Sequence, residues 1–264
     1  MSYRIISELK KSIESNKKVA LVILTENTGS SPGIEGEMML VYPDGSTFGT
    51  IGGGSFEYNV TQEVLEKMDP GENFSFSHDL SESGDLGMIC GGRTGGYVKY
   101  FHNRQSLVIF GAGHVGQALV GVVEDLGFEI SIVDDRQQYL DHPAFENVNK
   151  IKCPFDNLSK EIPLKNAYII IMTPSHSYDY EVLRAVIESE FEYLGLMGSR
   201  KKVKLTRDRL LSDGVSVDKV KKLNMPVGLN IATGTPKEIA ISIAAEILAI
   251  RNGKEKIQFL TEKI

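Results

Sequence analysis

Residues 106–116 read SLVIFGAGHVG, a run of strand-forming residues that passes directly into a glycine-rich loop. The loop has the spacing G-x-G-x-x-G, formed by Gly111, Gly113 and Gly116. In a strand–loop–helix turn of this kind, the first glycine permits the tight turn and the second lets the backbone approach a phosphate. The third lets the helix pack closely against the strand. The spacing therefore predicts a phosphate-binding loop.

The residues after the loop complete a strand–loop–helix–strand unit. Residues 117–126 have helical periodicity, and a second apolar run at 128–133 ends at Asp134. Asp134 lies 18 residues after Gly116, about where a carboxylate binds the ribose hydroxyls of a dinucleotide. The helix N-terminus, where His114 lies, presents free N–H groups to an anion. The pattern predicts one half of a nucleotide-binding Rossmann fold, although a Rossmann-like turn that binds nothing has the same local pattern.

Composition limits the classes of protein. The 264 residues are 41% hydrophobic and 24% charged, as in soluble globular proteins, and the formal charge of −6 argues against general nucleic-acid binding. Residues 1–18 show no apolar h-region, and the longest apolar stretch, 239–250, is too short to span a membrane and is interrupted by Glu246. The two cysteines, Cys90 and Cys153, form no C-x-x-C pair. We therefore expect a reduced, cytoplasmic protein without a structural metal site.

Two domains are expected, because 105 residues precede the strand that leads into the loop. Short strands separated by turn-rich segments, with helices at two places, predict an α+β domain over residues 1–103. A polar joint at 102–105 ends it. Over residues 104–264, strands alternate with helices, which predicts an α/β domain with a parallel sheet. Its predicted strands after the loop unit are 148–151, 167–172 and 191–196, and its predicted helices are 177–188, 200–211 and a last helix starting at a T-x-x-E capping box.

Glycine-rich segments in the first domain are candidate anion sites. Gly52, Gly53 and Gly54 follow a strand and open a helix, so their N–H groups can face a phosphate or carboxylate. A tight turn that merely requires positive φ needs the same residues. Cys90 precedes Gly91, and exposed N–H groups there would favour a reactive thiolate, whereas a buried cysteine would be inert.

Two further segments follow predicted strands of the second domain, where α/β folds bind their ligands. His176 in the first segment is a candidate phosphate donor or acid/base, with helix capping or plain exposure as the alternative. In the second, Ser199 is a candidate N-cap and Arg200 begins a basic run through Lys204. Positive charge in a first helical turn opposes the helix dipole, and a bound anion would offset it. A solvated helix face is the alternative.

Several segments together resemble the XdhC/CoxF-type accessory factors of xanthine dehydrogenase, also called the XdhC/CoxI family. The segments are TGSSPG at 28–33, GTIGGG at 49–54, CGG at 90–92, GAGHVG at 111–116, VDDR at 133–136, GLMGSRKK at 195–202, PVGL at 226–229 and TPKEIA at 235–240. They cover nearly the whole chain in order. The sequence departs from the family pattern at Pro32-Gly33, where Pro-Arg is expected, and at NIATG over 230–234, which replaces an Asp-Ile-Gly-Ala run.

The resemblance implies an N-terminal XdhC/CoxI-like domain, a C-terminal Rossmann domain and a role in maturing molybdenum hydroxylases. It implies a chaperone that holds the molybdenum cofactor, a phosphorylated pterin dithiolene, during sulfuration and insertion. The implied partners are an apo xanthine dehydrogenase or related molybdoenzyme, a cysteine desulfurase and a second copy of the chain in a homodimer. Carried onto this sequence, the loops at 52–54 and 91–92, with Cys90, are candidates for cradling the cofactor.

The residues alone leave other functions open. One is an NAD-dependent oxidoreductase, with Asp134 on the ribose and His176 as acid/base. Another is a nucleotide-sensing interaction module without chemistry. The ligand of the Rossmann loop, whether NAD(H), another nucleotide or the phosphate of the molybdenum cofactor, also stays open at this point.

Overall fold

The computed structural model describes residues 2–29, 32–69, 71–79 and 92–254. The chain divides into two compact units, Met1–Asn103 and Arg104–Ile264. In the described part of the chain, no helix has both the length and the apolar character needed to cross a membrane.

The first unit is an antiparallel sheet with a helix on each face. Its elements are α1 (Ser2–Glu14), β1 (Val19–Thr28), β2 (Met38–Val41), β3 (Thr47–Gly49), α2 (Gly54–Glu66), β4 (Phe74–Asp79) and β5 (Arg93–Phe101). The strand order is β3-β2-β1-β5-β4. Successive residues of a strand face opposite sides of a sheet. Along β1, Val19 and Leu21 accordingly pack with α1, whereas Ala20, Val22 and Leu24 pack with α2.

The second unit is a parallel sheet flanked by helices. Its elements are β6 (Gln105–Phe110), α3 (His114–Val123), β7 (Phe128–Asp134), α4 (Gln137–Leu140), a 3₁₀ turn (Pro143–Phe145), β8 (Asn149–Lys152), β9 (Ala167–Ile171), α5 (His176–Val186), β10 (Phe191–Leu196), α6 (Arg200–Ser212), α7 (Val217–Lys221) and α8 (Pro236–Arg251). The order is β8-β7-β6-β9-β10. The chain thus starts at the central strand and changes direction between β6 and β9. Ligands of open α/β sheets bind at such a switch point, beside the carboxyl ends of the strands.

Two apolar layers cover the parallel sheet. On one face, α3 and α8 pack through Leu119, Val123, Ile243 and Ile247. On the other, α5 and α6 pack through residues that include Leu183 and Leu210. The predicted fold class, an α+β unit followed by a parallel-sheet unit, is confirmed. The short helices α4 and α7 lie outside the predicted elements, because five or fewer residues carry no clear periodicity.

The start of α8 matches its prediction in detail. The Thr235 side chain accepts the N–H of Glu238, and the Glu238 carboxylate accepts the N–H of Thr235, with Pro236 in the first turn. Gly253 follows the helix at a φ of 63°, and its N–H bonds to the carbonyl of Ile250 at 3.0 Å. The capping box and the glycine stop are confirmed.

Candidate functional site

The three glycines of the loop after β6 have different surroundings. Gly111 has a φ of +118°, and a Cβ there would lie 2.3 Å from the carbonyl oxygen of Met172. A Cβ on Gly116 would lie 2.2 Å from the carbonyl oxygen of Gly111. No described atom lies within 4 Å of a Cβ placed on Gly113, which is the N-cap of α3. The fold itself therefore requires Gly111 and Gly116, whereas Gly113 leaves an open space at a helix N-terminus. His114 begins α3 with an exposed side chain.

Asp134 is buried at the end of β7 and holds this loop in place. One carboxylate oxygen accepts the N–H of Ala112 at 2.8 Å and a guanidinium N–H of Arg136 at 2.8 Å. The other accepts the backbone N–H and Nε of Arg136 at 3.0 and 2.8 Å. Burial alone would raise the pKa of Asp134, but the hydrogen bonds from Arg136 and Ala112 outweigh it and hold the pKa below its ordinary value. Both oxygens are thus engaged within the protein, and ribose binding by Asp134 stays a prediction.

One oxygen of the neighbouring Asp135 carboxylate has no hydrogen-bond donor among the described residues. This oxygen, Oδ1, is buried, and the nearest cation, Nε of Arg136, is 3.6 Å away. Burial, together with the adjacent Asp134 carboxylate, raises the pKa of Asp135. The Arg136 guanidinium lies 3.8 Å from the ring centroid of Tyr139. A buried acceptor without a donor beside a phosphate-ready loop suits a ligand that carries hydroxyl groups.

An ion pair ties together the two loops at the ends of β9 and β10. Asp179, buried in the first turn of α5, accepts the N–H of Thr173 at 2.9 Å and its hydroxyl at 2.7 Å. The other carboxylate oxygen of Asp179 binds Nζ of Lys202, which also donates to the carbonyl of Met197 at 2.8 Å. His176 lies beside this pair, with Nδ1 3.8 Å from Asp179 and a side chain that is 80% exposed.

The basic run at the start of α6 does not share one environment. Ser199 is the N-cap, as predicted, because its side chain accepts the N–H of Lys202. The Lys202 side chain is only 12% exposed, so a solvated helix face is the wrong interpretation for this residue. Ser199 lines a cavity together with His176, whereas Arg200 lines a different cavity with Gly228. Ser199 and Arg200, although adjacent in sequence, therefore belong to different candidate sites.

The glycine turn of the first unit already contains an anion. Gly52, Gly53 and Gly54 all have positive φ, and a Cβ on Gly52 would lie 2.6 Å from the nitrogen of Gly33. One oxygen of Glu57, in the first turn of α2, accepts the N–H groups of Ile51 and Gly53 at 3.0 and 3.1 Å. The same oxygen accepts the Thr50 hydroxyl at 2.5 Å. The amide of Gly53, one of those that the sequence offers to a ligand, therefore binds a carboxylate of the protein itself, as does the amide of Ile51.

Other predicted positions are settled by packing or lie outside the described residues. Gly33 has a φ of +82°, and a Cβ there would lie 2.4 Å from the carbonyl of Ile51, so this backbone excludes an arginine. Cys153 is buried, and its Sγ accepts the N–H of Ser159 at 3.1 Å. Cys90 and Gly91 lie outside the described residues. Within the described ranges, no group of three or more His, Cys, Asp or Glu residues is placed to hold a metal ion.

Matches to two protein-family models show which family the chain belongs to. Residues 107–247, more than half of the chain, match the XdhC Rossmann domain, and residues 12–77 match the XdhC and CoxI family. The chain belongs to the XdhC family. The first match lies within the parallel-sheet unit and contains the glycine loop, and the second contains Gly52–Gly54 and Glu57.

Relatives of this XdhC-type protein include two curated proteins. The chain is 33% identical over 253 residues to the uncharacterized protein YqeB of Escherichia coli strain K12, covering 94% of this chain and 46% of the relative. It is 27% identical over 157 residues to a probable xanthine dehydrogenase subunit of Bacillus subtilis strain 168, covering 59% of this chain and 46% of that protein. The chain spans about half the length of the curated relatives it matches.

A solved structure shares the fold of this XdhC-type protein. It is the crystal structure of a xanthine dehydrogenase from Bacillus halodurans, with 22% identity and a TM-score of 0.52, covering 96% of this chain and 97% of that one.

The structure adds three residues, Asp135, Asp179 and Glu57, to those that the sequence indicated, and it distinguishes Lys202 from the rest of the predicted basic run. Asp135, Asp179 and Lys202 lie at the carboxyl edge of the parallel sheet, and Glu57 occupies the glycine turn of the first unit. Glu57 had a sequence signal, because an acidic residue one turn after a glycine-rich helix start can bind the free amides. The pairing of Asp179 with Lys202 depends on tertiary packing and had none.

Proposed function

We propose that this protein is an accessory factor for a molybdenum hydroxylase of the xanthine dehydrogenase type. It binds the molybdenum cofactor as cargo, holds it during sulfuration and passes it to the apo-enzyme. Membership of the XdhC family supports this role, as do the names of the Bacillus subtilis and Bacillus halodurans proteins. The proposed partners are the client molybdoenzyme, a cysteine desulfurase and a second copy of the chain, in the cytoplasm.

The open space at Gly113 is the observation that carries the proposal. The molybdenum cofactor ends in a phosphate, and a helix N-terminus with an unobstructed glycine is suited to bind one. Gly113 satisfies both conditions, whereas the amides of Ile51 and Gly53 are occupied by Glu57. We therefore assign phosphate binding to the parallel-sheet unit. The cofactor supplies the molybdenum and its sulfido ligand, and the chain supplies a positioned anion site.

Retention of the cofactor tests this assignment. The purified chain is incubated anaerobically with molybdenum cofactor and desalted, and the retained molybdenum and pterin are measured. We expect wild-type protein to retain both in equal amounts and Gly113→Val to retain at least tenfold less. Gly121→Val is the matched control, because Gly121 lies on the exposed side of α3 and no described atom lies within 4 Å of its Cβ position. Equal retention by wild type and Gly113→Val would place the phosphate elsewhere.

A nucleotide is the second candidate ligand of the same loop, and the unpartnered Oδ1 of Asp135 favours it. In that case the protein is an NAD-dependent oxidoreductase or a nucleotide sensor. The ribose hydroxyls of a nucleotide without a 2′-phosphate would donate to Asp135. Titration with NAD and NADH separates the two proposals. Three results together would contradict the accessory role and support the nucleotide. They are saturable NADH binding that Asp135→Asn weakens, turnover of a substrate, and no retained molybdenum.

A further inference from the structure

The cavity that His176 and Ser199 line lies between α5 and α6 of the parallel-sheet unit. Its volume is about 380 Å³, and its lining includes His176, Tyr180, Ser199, Lys201, Lys202 and Arg209. The residues from α6 span two helical turns, so the cavity extends well beyond the N-terminus of that helix. It follows β9 and β10, whereas the glycine loop follows β6.

The lining of this cavity is positively charged. It contains three cations, Lys201, Lys202 and Arg209, and no carboxylate. Two acidic groups that contact lining residues have partners of their own: Asp179 is buried and pairs with Lys202, and Asp213 accepts the phenol of Tyr180. Asp179 balances Lys202, so Lys201 and Arg209 are the two lining cations without an ion pair among the described residues, in a protein whose formal net charge is −6.

An apolar surface adjoins these cations. The Arg209 guanidinium lies over the ring of Tyr180, with Cζ 3.7 Å from the ring centroid, a cation–π contact that helps to hold the charge in place. Leu205 also lines the cavity and is 62% exposed, one helical turn before Arg209. Cations beside an exposed apolar side chain suit a phosphate that is attached to an organic group.

The charge of α6 is costly without an anion. The helix RKKVKLTRDRLLS carries six Lys or Arg residues against one Asp, with no acidic residue in its first turn. Cations in the first turn of a helix oppose the helix dipole. Asp179 offsets the charge of Lys202, and an anion bound in the cavity would offset the charge of the remaining cations.

We propose that the cavity between α5 and α6 is a separate binding site for the phosphate of a phosphorylated small organic molecule. Lys201 and Arg209 donate to the phosphate, and the Lys202–Asp179 ion pair lies beside them. Tyr180 and Leu205 contact the organic group. This site is independent of the proposed accessory role.

Titration with inorganic pyrophosphate tests the site, using the 264-residue chain with Gly113→Val so that the glycine loop is blocked. We expect saturable binding to remain in this background. Adding Lys201→Met or Arg209→Met should weaken the dissociation constant at least tenfold. Lys204→Met and Arg207→Met are matched controls, because both residues are exposed on α6 and neither lines the cavity. These controls should change the constant less than twofold.

Two results would overturn the proposal. One is the absence of saturable binding in the Gly113→Val chain, which would assign pyrophosphate to the glycine loop alone. The other is equal weakening by the cavity and control substitutions, which would indicate general attraction to a basic helix. Thermal unfolding of each variant checks that the fold is retained. Arg209→Met should leave retention of molybdenum cofactor at the glycine loop unchanged, so failure of this proposal is distinguishable from failure of the accessory role.

Discussion

Substituting alanine separately at Gly116 and Gly113 should separate the fold requirement of the glycine loop from its binding function. A methyl group on Gly116 would lie 2.2 Å from the carbonyl oxygen of Gly111, which is a backbone atom and cannot rotate away. Overpacking of this kind costs roughly 1–3 kcal/mol, and a backbone obstruction favours the upper half of that range. Alanine regains about 1 kcal/mol of helix propensity relative to glycine. The net loss is about 1–2 kcal/mol, or a fall in Tm of about 3–7 °C for a unit of this size.

Gly113→Ala should behave in the opposite way. The position has a φ of −72° and a ψ of −172°, which any residue adopts, and its Cβ position is open. Replacing glycine at an unstrained site stabilises by roughly 0.4–1 kcal/mol through the unfolded chain. Alanine is a poorer N-cap than glycine, which offsets much of this gain. We therefore expect Tm to be unchanged or slightly raised, while ligand affinity falls because the methyl group occupies the open space.

Far-UV circular dichroism on heating the 264-residue chain measures the Tm of both variants. The chain contains no tryptophan and 10 tyrosines, so tyrosine fluorescence supplies the second probe. A Gly116→Ala protein that melts at or above the wild-type Tm would refute the close packing of Gly116 on Gly111. A Gly113→Ala protein that loses stability but retains full ligand affinity would refute the assigned roles of both glycines.

Three further substitutions test other contacts. Asp134→Asn should cost about 3 kcal/mol at pH 7, the low end for breaking a buried ion pair, because Arg136 is 31% exposed. Since the folded pKa of Asp134 is lowered, its contribution is complete above about pH 4 and is lost as pH falls through the folded pKa. Urea midpoints of wild type and variant should therefore converge in acid, and a constant gap would contradict this. Thr235→Ala should cost about 1 kcal/mol by urea unfolding, against no change for the exposed Lys237→Ala, and equal losses would exclude the capping box. Glu57→Ala should lower Tm, because the amides of Ile51 and Gly53 lose their acceptor. Added phosphate should then raise the Tm of this variant more than that of wild type. An identical response of the two proteins would show that these amides do not bind anions.

Local signals are sufficient to predict the glycine loop and the start of α8. Each depends on residues within one or two turns, so spacing alone specifies the geometry. The Asp179–Lys202 pair joins residues 23 positions apart in two helices, and no local pattern indicates that contact. The sequence therefore does not distinguish Lys202 from its exposed neighbours.

The roles of Asp134 and Asp135 depend on which face of the sheet each occupies. Ile130 and Ile132 belong to the layer that α3 covers, and Asp134 continues the same alternation two residues later. Its carboxylate therefore points toward the loop before α3 and meets the amide of Ala112. The alternation is visible in the sequence, but the assignment of α3 to that face requires the handedness of the crossover.

The two glycine turns of this chain differ at one equivalent side chain. Gly53 and Gly113 are the N-caps of α2 and α3, and the fourth residue of each helix is Glu57 and Gln117 respectively. Glu57 turns its carboxylate onto the amides of its own loop, whereas Gln117 donates its side-chain amide to the carbonyl of Ala112 at 3.2 Å. The first turn of α3 contains no acidic residue, so its amides face no negative charge from that turn.

Gln117→Glu should therefore convert the second turn into a copy of the first. The new carboxylate competes with the ligand phosphate, and we expect retention of ligand to fall at least tenfold. An acidic residue in a first helical turn stabilises by roughly 0.3–1 kcal/mol, so Tm should stay the same or rise. Gln117→Met removes the hydrogen bond to Ala112 without adding charge and should retain most of the affinity. If Gln117→Met loses as much as Gln117→Glu, the hydrogen bond to Ala112, and not the absence of negative charge, keeps the loop competent to bind.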